Sequence, residues 1–275
     1  MRKACVIGWP AGHSRSPLIH NFWLARAGID GAYERAAVAP EDFPDFVRRL
    51  REHGYIGANV TIPHKESAFR LVNEASETAH ALGAANTLWF EDGRLMGDNT
   101  DVRGFLAHLD DAAPGWDAAA PATVLGAGGA ARAVVFALLT RGVRDLRLVN
   151  RTKARAAALA ESAGAAVRVY GWDALAEALD GAGLLVNTTS LGMAGQPALD
   201  IDLAPLSPEA VVYDIVYVPL QTELLEAARA RGLRTVDGLG MLLHQAVPGF
   251  ARWFGVVPRV TEELRELVAT DIEGR

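Results

Sequence analysis

Cysteine is almost absent: Cys5 is the only one in 275 residues. That excludes an intramolecular disulfide and a cysteine metal cluster. Cys5 lies in the apolar run Ala4-Cys5-Val6-Ile7, where it reads as a small buried hydrophobe. No run approaches the ~18 consecutive apolar residues of a membrane helix. No basic block marks a nucleic-acid surface, since the net charge is −6 with both signs interspersed. The seven histidines show no ligand spacing, so no metal is expected. The apolar stretch behind Met1 is brief and soon broken by Gly8 and Pro10, unlike a signal peptide. The expectation is a soluble, cytoplasmic protein without nucleic-acid or membrane partners.

What is present is a half-apolar chain in which strand-like and helix-like segments alternate, which argues for an α/β fold. The first unit reads as strand 4–7, a loop to Ser16, and a helix 17–27 with Ser16 as hydroxyl cap and Gly28 as stop. A strand near 33–38, a helix 41–53 and a buried strand 56–62 follow. Two short helices come next, then a hairpin with strands 87–90 and 94–97. A connecting helix spans 102–109, and a Pro- and Ala-rich linker spans 112–121. Six strand candidates succeed one another at 122–125, 145–149, 166–169, 183–188, 211–215 and 233–236, as in a doubly wound nucleotide-binding sheet. Helices 239–254 and 261–272 close the chain.

The glycine-rich stretch Gly126-Ala127-Gly128-Gly129-Ala130 follows the first of those six strands and opens a helix. Glycines there permit a tight turn and close backbone approach to a pyrophosphate at the helix N-terminus. The next strand ends at Asn150-Arg151-Thr152, with Lys153 and Arg155 close behind. A dinucleotide site that prefers NAD usually carries Asp or Glu at that place. A cationic cluster suits a 2′-phosphate instead, because guanidinium pairs with phosphate bidentately. The residues therefore read as an NADP site.

Three polar clusters end apolar strands in the first hundred residues: His13-Ser14-Arg15-Ser16-Pro17, Asn59-Val60-Thr61-Ile62-Pro63-His64-Lys65, and Asn86-Thr87 with Asp98-Asn99-Thr100-Asp101. Loops at strand ends of an α/β sheet converge on one crevice. Hydroxyls, amides, one lysine and one aspartate suit a small polyhydroxylated acid. Each cluster alone also has a plain reading. Ser14 and Ser16 serve turns and caps, Asn59 and Thr61 satisfy strand ends, Lys65 is a solvated charge, and Asp101 caps the following helix.

Taken together, these motifs resemble the shikimate dehydrogenase family. They are joined by Asn-Thr-Thr-Ser-Leu-Gly-Met at 187–193 and Asp-Gly-Leu-Gly-Met-Leu-Leu-His-Gln-Ala at 237–246, so the likeness runs along essentially the whole chain. The resemblance implies two α/β domains around a cleft, the second a Rossmann-type doubly wound parallel sheet. Residues 1–101 and 240–275 would form the substrate domain and 102–239 the NADP domain. It implies reversible, NADP-dependent reduction of 3-dehydroshikimate to shikimate, a step of chorismate and aromatic amino-acid biosynthesis. Lys65 would be the proton donor and acceptor, with Asp101 beside it. Ser14 and Ser16 would bind the substrate carboxylate, helped by Tyr217. Thr61, Asn86 and Gln245 would join Lys65 and Asp101 in holding the rest of the substrate. Gly126, Ala127, Gly128, Gly129 and Ala130 would hold the pyrophosphate, and Asn150, Arg151, Thr152 and Arg155 the 2′-phosphate end. Ile215, Gly238 and Met241 would lie by the nicotinamide. Glu77 occupies a position tied to the cofactor side, although by residue type it reads as a surface helix charge. His64 and His244 read as structural. The protein would be a monomer or a homodimer.

Val102, where many members carry glycine, and Ala85, where valine is frequent, depart from the family pattern. The nearest rival is a quinate/shikimate paralogue, often NAD-preferring, against which Asn150-Arg151-Thr152 argues. A non-catalytic NADP-binding regulator would not need Lys65 and Asp101. A folate-linked dehydrogenase of similar layout lacks the Ser14/Ser16 and 98–101 motifs.

Overall fold

The structure, a computed structural model, describes residues 1–116 and 120–274. Residues 117–119 of the expected linker lie outside the described residues. The chain divides into two compact units, Met1–Asp101 with Leu243–Val268, and Val102–Leu242 with Ala269–Arg275. The sequence reading begins the last segment of the first unit at 240 and runs it to 275; in the structure that segment is Leu243–Val268.

The first unit holds β1 (Arg2–Gly8), α1 (Ser16–Ala27), β2 (Gly31–Ala37), α2 (Phe43–Arg48), β3 (Tyr55–Val60), α3 (Lys65–Leu71), β4 (Glu74–Ala75), α4 (Glu77–Leu82), β5 (Thr87–Glu91) and β6 (Arg94–Asp98). The strands form one mixed sheet in the order β2-β1-β3-β5-β6-β4. β1 lies between β2 and β3 and is parallel to both, while β5 and β6 run as an antiparallel hairpin beside β3. Asp92 and Gly93 both take positive φ, as a two-residue hairpin turn requires. One core cluster gathers Cys5, Ile7, Phe43, Val47, Leu50, Ala58, Val60 and Leu88.

Two local expectations are corrected. The helix expected over 41–53 is only Phe43–Arg48. Beyond it the chain closes tight turns, with Leu50 N–H on Val47 O and Gly54 N–H on Arg51 O, and Gly54 at φ +84°. Its apolar residues still reach the core, so helical spacing survives without a helix. The hydroxyl cap expected from Ser16 is also absent: α1 starts at Ser16, with Arg15 at the cap and no side-chain cap bond. Ile19 N–H bonds Arg15 O, so the main chain already satisfies a donor that a cap hydroxyl usually serves.

The second unit contains α5 (Asp101–Ala112, its first residue counted with the first unit), β7 (Ala122–Leu125), α6 (Gly129–Thr140), β8 (Leu146–Val149), α7 (Lys153–Ala163), β9 (Val167–Tyr170), α8 (Leu175–Leu179), β10 (Leu184–Asn187), β11 (Val211–Asp214), α9 (Glu223–Ala230) and β12 (Arg234–Val236). All six expected strands appear, with ends moved by no more than one residue. They form a fully parallel sheet in the order β12-β11-β10-β7-β8-β9. That is the doubly wound order, reversing direction at β7 and β10. The central strands β7, β10 and β11 are near-continuous apolar runs because they are buried on both faces. α10 (Leu239–Phe254) and α11 (Glu262–Glu273) complete the chain, and the division between units falls within each.

Candidate active site

Strand direction brings the first unit's polar clusters together. β1 and β3 are parallel, so the loops 9–15 and 61–64 leave from the same end of the sheet. β5 is antiparallel to β3, with Thr87 opposite Asn59, so its beginning lies at that end. β6 runs back again, with Asp98 opposite Thr87. Four strand ends thus meet where the strand order reverses about β1.

At that meeting point Lys65 Nζ lies 2.6 Å from Asp101 Oδ2. Lys65 is the first residue of α3, and Asp101 the first of α5. The pair is partly sheltered, with side-chain exposures of 30% and 14%. Asn86 Nδ2 donates to the other oxygen, Asp101 Oδ1, at 2.8 Å. Asp101 N–H is held by Asn99 Oδ1 at 3.2 Å. Thr100 Oγ1 donates to the main-chain oxygen of Gln245 in α10 at 2.8 Å, which brings that residue's backbone into the cluster. Thr61 N–H bonds Ile7 O, while its hydroxyl has no hydrogen-bond partner among the described residues. Gly8 makes room for it, since a Cβ there would stand 2.5 Å from the Thr61 methyl group. His64 is buried, stacked on Phe43 at 4.3 Å and bonded through Nε2 to Val38 O at 2.8 Å. Burial lowers its pKa, so it anchors the start of α3 as a neutral ring.

Ser14 Oγ accepts from Ser16 N–H at 3.3 Å. One residue the sequence reading missed holds this loop. Arg35 of β2 donates to Ser14 O from both Nε, at 3.1 Å, and Nη2, at 2.7 Å. No spacing signals it, because β2 lies beside β1 only in the folded sheet. Tyr33 was also missed. Glu77 lies exposed in the first turn of α4, outside the Lys65–Asp101 hydrogen bonds.

The second unit presents the glycine loop behind β7, at its own point of strand reversal. Gly126 needs to be glycine: its φ is +108°, and a Cβ would meet Thr188 Oγ1 at 2.7 Å. Gly128 and Gly129 are exposed, and a Cβ on either would meet nothing within 4 Å. Packing does not explain their lack of a side chain, and glycine there leaves the loop open to close approach by a ligand. α6 begins at Gly129 with no side-chain cap, leaving N–H groups for an anion. Asn150 Nδ2 donates to Thr152 O at 2.8 Å, shaping the turn into α7. Arg151, Lys153 and Arg155 are exposed and have no ion-pair partner among the described residues. Those residues fit a phosphorylated dinucleotide. Gly238 passes so near the chain behind β11 that a Cβ would lie 2.2 Å from Ile215 O. Tyr217 is partly buried in that segment.

A parallel sheet in this order, with a glycine loop at its reversal point, accompanies a unit carrying a lysine–aspartate pair among hydroxyls and amides. Such a combination defines a two-domain α/β oxidoreductase. Residues 6–88 match the family described as the shikimate dehydrogenase substrate binding domain, and residues 115–194 the family described as shikimate / quinate 5-dehydrogenase. The NADP(+) shikimate dehydrogenase of Methylocella silvestris is 62% identical over 98% of this chain and 97% of its own. The shikimate 5-dehydrogenase of Thermus thermophilus, solved with NADP(H) and shikimate, superposes with a TM-score of 0.88 at 37% identity, covering 99% of this chain and 100% of that one. The quinate dehydrogenase of Corynebacterium glutamicum, solved with NAD, gives 0.90 at 32% identity, covering 98% and 99%. The chain belongs to the shikimate dehydrogenase family.

Proposed function

We propose that this protein catalyses the reversible, NADPH-dependent reduction of 3-dehydroshikimate to shikimate, in the cytoplasm, as a step towards chorismate and the aromatic amino acids. The observation that carries the reading is the Lys65–Asp101 pair with Asn86 on its far oxygen. NADPH, when bound, supplies the hydride. Lys65 donates a proton to the ketone oxygen as negative charge grows there, an effect worth about 10²–10⁴ in rate. Asp101 keeps the ammonium aimed, and Asn86 keeps Asp101 aimed. Ser14 and Ser16, with Tyr217, receive the carboxylate. Thr61, whose hydroxyl is uncommitted, Asn86 and Gln245 hold the ring hydroxyls.

Gly126 to Ala130 would hold the pyrophosphate, with Ile215 and Gly238 beside the nicotinamide. Asn150, Arg151, Thr152 and Arg155 would hold the 2′-phosphate end. The uncompensated charges of Arg151, Lys153 and Arg155 favour NADP over NAD. The NAD-bound quinate dehydrogenase among the structural relatives makes that choice worth measuring.

Initial rates with shikimate and quinate, each with NADP and NAD, test the proposal on wild type, Lys65→Ala and Arg151→Ala. Fast turnover of shikimate with NADP is expected, lost in Lys65→Ala and weakened in KM for NADP in Arg151→Ala. Equal rates with NAD or quinate would refute the specificity, and wild-type turnover in Lys65→Ala would refute the mechanism.

A further inference from the structure

We propose that Tyr33, Asn59 and Thr87 form a one-way hydrogen-bond relay that positions the Asn86 amide and, through it, the Asp101 carboxylate against Lys65. The inference rests on the catalytic reading above.

The direction of most of these bonds follows from which atoms can donate. Asn59 Nδ2 faces two acceptors, Asn86 O at 3.2 Å and Thr87 Oγ1 at 3.1 Å. That fixes the amide so that its oxygen faces Tyr33, whose hydroxyl must donate at 2.6 Å. Thr87 Oγ1 accepts from Asn59, and its own proton has two acceptors in reach, Thr100 Oγ1 at 3.3 Å and, nearer, Asn86 Oδ1 at 3.0 Å, which the relay uses. The same oxygen receives Thr100 N–H, which can only donate, at 2.9 Å. Asn86 therefore has its oxygen turned inward and its Nδ2 turned to Asp101 Oδ1. Four donors point the same way, Tyr33 to Asn59 to Thr87 to Asn86 to Asp101, and bonds in such a chain polarise and strengthen one another.

Packing alone does not account for this. Tyr33, Asn59, Asn86, Thr87 and Thr100 are each no more than 5% exposed. Buried polar side chains cost stability unless fully paired, and apolar residues would fill the same positions. The ladder does not need them, since Val60 N–H already bonds Asn86 O. The head of the relay is clamped: the Tyr33 ring stacks on His20 with centroids 4.0 Å apart and planes 8° from parallel. The relay thus runs from β2, through β3 and the start of β5, to the pair assigned to the proton.

Shikimate oxidation by the full chain is the test, in wild type, Thr87→Val, Thr87→Ser, Tyr33→Phe and Lys65→Ala, with thermal melts on each. Thr87→Val keeps the shape and deletes the relaying hydroxyl. Its kcat should fall about tenfold, with a smaller change in KM, because a slightly misplaced group loses rate steeply. Thr87→Ser should restore kcat to within about twofold. A purely structural threonine would lower the melting temperature and leave the kcat of the folded enzyme unchanged, which would overturn the relay. So would equal impairment in Thr87→Ser and Thr87→Val. Should Thr87→Val melt below the assay temperature, Tyr33→Phe, which deletes only the first oxygen, decides the matter on the same kcat criterion. Wild-type rates in Lys65→Ala would overturn the catalytic reading and the relay with it, whereas an inactive Lys65→Ala beside an unimpaired Thr87→Val refutes the relay alone.

Discussion

His20 gives the first unit an acid weakness of calculable size. Its ring is fully buried and neither nitrogen has a hydrogen-bond partner among the described residues. Burial lowers its pKa from 6.5 to about 3, opposed only in part by nearby Asn59. An unfolded chain gains a proton on this ring as pH falls through 6.5, and the folded chain does not. The contribution to stability is therefore complete above pH 6.5 and is lost as pH falls from there towards 3. At pH 5 the loss is about 2 kcal/mol, from roughly 1.4 kcal/mol per pH unit once the unfolded state is mostly protonated. His20→Phe removes the titration while keeping a ring against Tyr33, Trp23, Phe250 and Trp253. Urea unfolding at pH 7.5 and pH 5, followed by tryptophan fluorescence, gives the pH-dependent loss for each protein. Taking the difference between proteins cancels every other titrating group and any packing cost of the larger ring. Wild type should lose about 2 kcal/mol more than His20→Phe between the two pH values. Equal losses would refute the reasoning.

Gly128→Ala separates folding from cofactor binding: φ is −95° and a Cβ meets nothing within 4 Å, so the melting temperature should hold while KM for NADP rises about tenfold or more. Unchanged NADP kinetics would show that the loop does not closely approach the pyrophosphate. Arg35→Met releases Ser14 O and removes a positive charge near the assigned carboxylate site, so KM for shikimate should rise several-fold with kcat little changed. The methyl ester of shikimate should lose less than the acid, and an equal loss for both would show that the charge does not matter.

Much of this architecture was legible in residue order because its signals are local. Apolar runs of four or five residues mark strands buried on both faces, and Gly126 to Ala130 mark the turn into α6. Asn150 to Thr152 declared a cationic turn, and Asp92-Gly93 a hairpin. The motif residues Lys65, Asn86 and Asp101 were nameable from the chain alone.

Contacts between distant segments were not legible. Helical spacing over 41–53 could not reveal that turns replace the helix after Arg48. Ser16 as a cap failed because Arg15 O had already taken the Ile19 donor. Arg35 gained a role only because strand order sets β2 beside β1. The sense of the bonds from Tyr33 to Asp101 depended on register, Asn59 against Thr87 and Thr87 against Asp98. Residue types by themselves determined which chemistry was available and where most strands and helices would fall, since propensity and periodicity act within a few residues. Tertiary structure alone decided which oxygen each amide turns to its neighbour, because a hydrogen bond's direction is set by every partner at once.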